Sequence, residues 1–97
     1  MKIYMVQGSA GEYEDYRTWL VKAFVSEKSA QDYAQKCAAE FRRIETEAKE
    51  KGTFFYDWEY EKYNISPNIY DPKMDMGYSG AQYDVVECEL IEEINNG

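Results

Sequence analysis

Two periodicities divide this chain. From Ser26 to Gly52, apolar residues return every three or four positions: Ala30, Tyr33, Ala34, Cys37, Ala38, Phe41, Ile44 and Ala48. That spacing lines one face of an α-helix, so the stretch predicts a single long amphipathic helix that covers the rest of the fold. Ser26 suits the N-cap and Glu27 the positive end of the helix dipole, while Lys49, Lys51 and Gly52 suit the other end. On the outward side, Asp32–Lys36, Glu45–Lys49 and Glu47–Lys51 stand four apart, each pair worth about 0.2–0.5 kcal/mol.

Elsewhere the pattern shortens to alternation. Lys2 to Gln7 is a β-branched and aromatic run that predicts a first strand. In Thr18 to Val25, Trp19, Val21, Ala23 and Val25 share one face, expected under the helix, and Thr18, Leu20, Lys22 and Phe24 share the other. Lys22 in the core would carry a desolvation cost, which sets that choice. Gly8-Ser9-Ala10-Gly11 reads as the turn of a long-looped hairpin between these strands. A phosphate-cradling loop is excluded, since no Lys-Ser/Thr follows and a strand comes next. Gln82 to Ile91 predicts the last strand, with Val86, Cys88 and Leu90 on one face and Tyr83, Val85, Glu87 and Glu89 on the other. Gly77 and Gly80 punctuate its approach, and Glu92 to Gly97 reads as a frayed tail.

The order strand-strand-helix-strand predicts a single α+β domain over residues 1–97. A small antiparallel or mixed three-stranded sheet in the order 2-1-3 satisfies the crossover rule, with the helix on one face. The other face is left to an aromatic, acidic lobe or to solvent, and that open face is where a partner is expected. The lobe is Thr53 to Tyr63, TFFYDWEYEKY, where aromatics interleave with acids and neither period fits. Asn64 to Asp71, with Pro67 and Pro72 close by, reads as loop.

Charge narrows the functional classes. The chain holds 19 acids against 11 bases, a net charge of −8. Residues 1–25 balance three against three and residues 26–52 six against six, so the whole excess, ten acids against Lys62 and Lys73, follows residue 52. Direct binding to a nucleic-acid backbone needs the opposite sign, so the six tyrosines of that half are not expected to serve single-strand stacking. The absence of histidine removes Ser-His and Cys-His catalysis and histidine metal ligation. Cys37 and Cys88 are expected as buried free thiols, and two cysteines alone cannot build a structural zinc site. Asp71 and Asp75 fail the EF-hand template, which places Met76 and Gln82 where glycine and glutamate are needed. Asp84, Glu87 and Glu89 offer carboxylates for acid–base work, but acids alternating along a strand more often form a solvated face.

No run of about 18 apolar residues occurs, and the opening lacks a signal-peptide core, so a soluble cytoplasmic protein is expected. No catalytic residue, cofactor or metal is expected either. What the residues do favour is a binding surface for a basic protein. Its candidates are Glu12, Glu14 and Asp15 in the hairpin loop, with Asp57, Trp58, Glu59, Tyr60, Glu61 and Tyr63 in the lobe. Carboxylates steer association with cationic surfaces, and tyrosine and tryptophan supply contact area at low entropy cost.

Tyr4 to Tyr16, reading YMVQGSAGEYEDY, resembles the opening of small uncharacterised phage and prophage proteins. These begin with a strand, a GSxGEYxD-like turn and a second strand carrying tryptophan, as Trp19 is here. Asn68 to Leu90, with DPKM, YSG and QYDVVECEL, resembles the closing half of the same pattern. The resemblance carries over no catalytic residue. It implies a phage-type setting, in which a small acidic protein inhibits host defence or nucleic-acid-handling machinery by mimicking nucleic-acid charge.

Overall fold

The computed structural model describes residues 1–52, 64–75 and 80–91. Among the described residues three strands, β1 (Lys2–Ala10), β2 (Arg17–Phe24) and β3 (Ala81–Glu89), form an open antiparallel sheet in the order β2-β1-β3. The helix α1 (Glu27–Glu50) covers one face. The expected α+β architecture and sheet order are therefore present. The aromatic acidic lobe, Gly77 and the tail from Glu92 lie outside the described residues.

The helix begins where its cap chemistry places it. Ser26 Oγ accepts the Ser29 backbone N–H at 3.2 Å, and the Gly52 N–H donates to Lys49 O at 3.1 Å at the other end. Ala30, Ala34, Cys37, Ile44 and Ala48 are buried, and Tyr33, Ala38 and Phe41 half-buried. Of the outward pairs, Glu45–Lys49 closes at 3.8 Å. Asp32 instead meets Lys28 at 3.6 Å, and Lys36 lies over the Tyr70 ring, 5.7 Å from its centroid. Glu47 meets Arg43 at 3.0 Å, leaving Lys51 to reach the Asn64 carbonyl at 3.3 Å.

The face assignment of β2 needs correcting. Val6 pairs with Lys22 and Gln7 with Leu20, so Val21 is an extra residue in a β-bulge. The inserted residue shifts the alternation beyond it by one. Trp19 and Val21 do pack toward the helix, but Phe24 joins them and Ala23 and Val25 are exposed. Lys22 follows Phe24 to the helix side without entering the core. The residue is exposed, and its ammonium sits 5.2 Å from the Tyr33 ring centroid.

Gly8 is not a turn residue. It lies within β1 opposite Trp19, and a Cβ there would stand 2.4 Å from Cε2 of the indole. The indole takes the space that a side chain at position 8 would fill, and β1 runs three residues past Gln7, to Ala10.

Two apolar clusters fill the helix–sheet interface. Val6, Ala30 and Ala34 pack with Tyr4, Val21, Phe24, Tyr33, Tyr83 and Val85. Ile44, Ala48, Ile65, Met74 and Ala81 pack with Trp19, Phe41 and Tyr83. Cys37 is fully buried but Cys88 only partly, and both are free thiols. The partial exposure of Cys88 corrects the expectation of two buried thiols. It faces away from the helix with Ile3, its partner on β1, and Met5 and Val86 form the next pair on that face. Among the described residues no element covers that face, and none of the helices is long and apolar enough to cross a membrane.

Candidate functional site

Two features stand out, a buried polar anchor and an exposed acidic hairpin tip. The anchor lies in residues 64–75, a strap without regular structure that crosses the second apolar cluster and contributes Ile65 and Met74 to it. Pro67, Pro72 and the polar spacing suit an irregular segment, yet Asn68 and Asp71 are 2% and 1% exposed. A buried polar group must find partners. Asn68 Oδ1 accepts the backbone N–H groups of Tyr70 (3.0 Å) and Asp71 (3.1 Å). Its Nδ2 donates to Cys37 O (3.2 Å) and to Met74 Sδ (3.3 Å).

Asp71 ties the strap to the sheet. Its Oδ2 accepts from Trp19 Nε1 at 2.8 Å and from the Tyr83 hydroxyl at 2.7 Å, while Oδ1 accepts the Lys73 N–H at 3.1 Å. Its contacts tie it to Trp19 and Tyr83, whereas Asp75 turns to Arg17 instead. Burial, with the Asp71 carboxylate adding to it, pushes the Cys37 thiol up to about 12. Further along, Arg43 donates to Ser66 O at 2.8 Å and is clamped by Glu40 and Glu47 at 2.8 and 3.0 Å. Those carboxylates, led by Glu40, which accepts its hydrogen bond, raise its pKa. Sequence reasoning missed this anchor, although the Asn-x-x-Asp-Pro spacing is a turn-forming signal that was available.

The hairpin tip is built differently. Gly11 has φ +88°, and a Cβ there would lie 2.2 Å from the Asp15 carbonyl oxygen, so the turn closes only on glycine. A short 3₁₀ turn, Tyr13–Asp15, follows, with Asp15 N–H donating to Glu12 O (3.1 Å) and Tyr16 N–H to Tyr13 O (3.2 Å). Tyr13 itself has φ +53°, an unusual conformation for a residue with a side chain, costing roughly 1–2 kcal/mol. It is 95% exposed, and Glu12, Glu14, Asp15 and Tyr16 are exposed beside it.

The predicted candidates Glu12, Glu14 and Asp15 thus come together within one turn. Among the described residues, none of their side chains has a hydrogen-bond or ion-pair partner. Most other described acids do: Asp32 with Lys28, Glu40 and Glu47 with Arg43, Glu45 with Lys49, and Asp75 with Arg17. Of the strand acids, Glu87 meets Lys2 at 3.6 Å and Glu89 the terminal amine at 3.0 Å. Internal pairing therefore leaves unbalanced charge at the tip. The other candidates, Asp57, Trp58, Glu59, Tyr60, Glu61 and Tyr63, lie outside the described residues. Among the described residues no cluster of three or more metal-binding side chains occurs. No protein-family model, curated protein or solved structure matches this chain.

Proposed function

We propose that this protein is a non-enzymatic binding module that docks its acidic hairpin tip on a basic protein surface. One observation carries the reading: Tyr13 is almost fully exposed among three carboxylates that have no partner in the described fold. An exposed tyrosine gives a rigid anchor for a pocket, and unpaired carboxylates raise the rate of encounter with a cationic surface. The acidic and aromatic residues Asp57, Trp58, Glu59, Tyr60, Glu61 and Tyr63 belong to the same reading on sequence alone. The resemblance to phage proteins supplies the setting. The partner is a host protein of a defence or nucleic-acid-handling complex, and the acidic surface occupies the place of nucleic acid.

The test is site-specific photo-crosslinking in host lysate, with the reactive side chain placed at Tyr13 or, as a control, at exposed Gln35 on the helix. The reading expects a basic protein captured from position 13 and not from position 35. Capture should disappear when Glu12, Glu14 and Asp15 are changed to lysine. Identical adducts from the two positions, or capture that survives the charge reversal, would overturn it.

A further inference from the structure

We propose that the strap sets the geometry of the hairpin tip, so that tip engagement and strap docking form one linked equilibrium. This rests on the binding reading above and names what regulates the same surface. The argument begins at Arg17, one residue past the tip. Its Nη1 donates to Asp15 O at 2.9 Å, inside the 3₁₀ turn, and its Nε donates to the Asp75 carboxylate of the strap. Two residues along the same face of β2, the Trp19 indole N–H ends on Asp71. Consecutive side chains on one strand face thus terminate on carboxylates four apart in the strap.

The other strand entering the tip is braced by the same side chain. The Trp19 ring lies against Gly8 of β1, which leads through Ala10 to Gly11. Both arms of the hairpin are therefore held by groups whose far ends are on the strap. The tip needs such bracing. It has two backbone hydrogen bonds of its own and holds Tyr13 in the left-handed region, a conformation that persists only where surrounding contacts over-determine it. A partner that binds the braced tip more tightly than a relaxed one must favour the docked strap by the same factor, because coupling between sites is reciprocal.

The experiment is amide exchange of the full chain resolved by NMR, with perturbation applied at each end in turn. Asp75→Asn removes the strap carboxylate's charge from Arg17 while keeping the shape. Gly11→Ala distorts the tip at the Asp15 carbonyl without altering any strap residue. Glu50→Gln, exposed on the helix, is the control. The readouts are the Asp15 and Tyr16 amides for the tip, Met74 N–H, which donates to Asp71 O, for the strap, and Ile44 for the core.

Asp75→Asn should speed exchange at Asp15 and Tyr16 by about two- to fivefold, the range for a partly exposed ion pair. Gly11→Ala should speed exchange at Met74 while Ile44 is unchanged. Exchange at Met74 unaltered by Gly11→Ala, with the tip amides exchanging freely, would overturn the proposal. So would tip amides indifferent to Asp75→Asn. No binding partner enters this experiment, so its failure leaves the binding reading standing, and failure to capture a partner leaves the coupling standing.

Discussion

Replacing Asn68 by alanine tests the polar anchor directly. The substitution removes the acceptor for two backbone N–H groups, Tyr70 and Asp71, and the donor to Cys37 O and Met74 Sδ. An orphaned buried donor costs about 1–3 kcal/mol, with the less buried Tyr70 at the low end. The space left beside Met74 adds to this, so the expected loss is about 3–5 kcal/mol, a large share of the stability of a domain this size. The assay is urea unfolding, with Ile69→Ala as control, since Ile69 is its neighbour and exposed; that change should stay within about 0.5 kcal/mol. The slope with denaturant separates two outcomes. An unchanged slope with a lower midpoint means that the strap is part of the cooperative unit, whereas a reduced slope means that it undocks on its own. An Asn68→Ala variant within about 1 kcal/mol of wild type at unchanged slope would refute the reasoning.

Other outcomes follow from single contacts. Gly8→Ala should cost about 1–3 kcal/mol by displacing the Trp19 ring, seen as a lower urea midpoint and a shift in tryptophan emission. Phe41→Ala should cost about 2–4 kcal/mol, because the ring is half-buried against the cluster of Ile44 and Met74. Cys37 should make stability fall with alkali. Its folded pKa is raised from 9.0 to about 12, so above pH 9 the unfolded chain binds fewer protons and unfolding becomes easier. The loss should approach about 1.4 kcal/mol per pH unit between those limits and be fully absent below them. The measurement is the stability difference between wild type and Cys37→Ala, which should shrink as pH rises from 9 to 10.5; a constant difference would contradict the burial of this thiol.

The helix and sheet order were legible because they rest on periodicity and chain connectivity. Ser26, the stripe from Ala30 to Ala48 and the hairpin before the helix leave few arrangements open. The bulge at Val21 was not legible from alternation, since an inserted residue leaves both halves of a strand looking regular. The five-residue spacing of Trp19 and Phe24 was the clue, because two large aromatics on one face at odd spacing require an extra residue. Asn68 and Asp71 were hidden for another reason. Polar residues near prolines are ordinarily solvated, and their burial depends on donors from Trp19 and Tyr83 that lie 52 and 12 residues away from Asp71. Of the candidate site, Glu12, Glu14 and Asp15 were visible as a cluster, but the near-complete exposure of Tyr13 between them follows from the left-handed turn that Gly11 permits.

The most direct test of the binding account is kinetic, using the partner captured at Tyr13. Association and dissociation would be followed at low and moderate salt for wild type, for Tyr13→Ala, and for the variant with Glu12, Glu14 and Asp15 changed to lysine. The account predicts that charge reversal slows association by about tenfold or more at low salt and flattens its dependence on ionic strength. Tyr13→Ala should mainly speed dissociation. Unchanged rates in both variants, with circular dichroism showing them folded, would contradict the account and leave these acids as a solubilising coat.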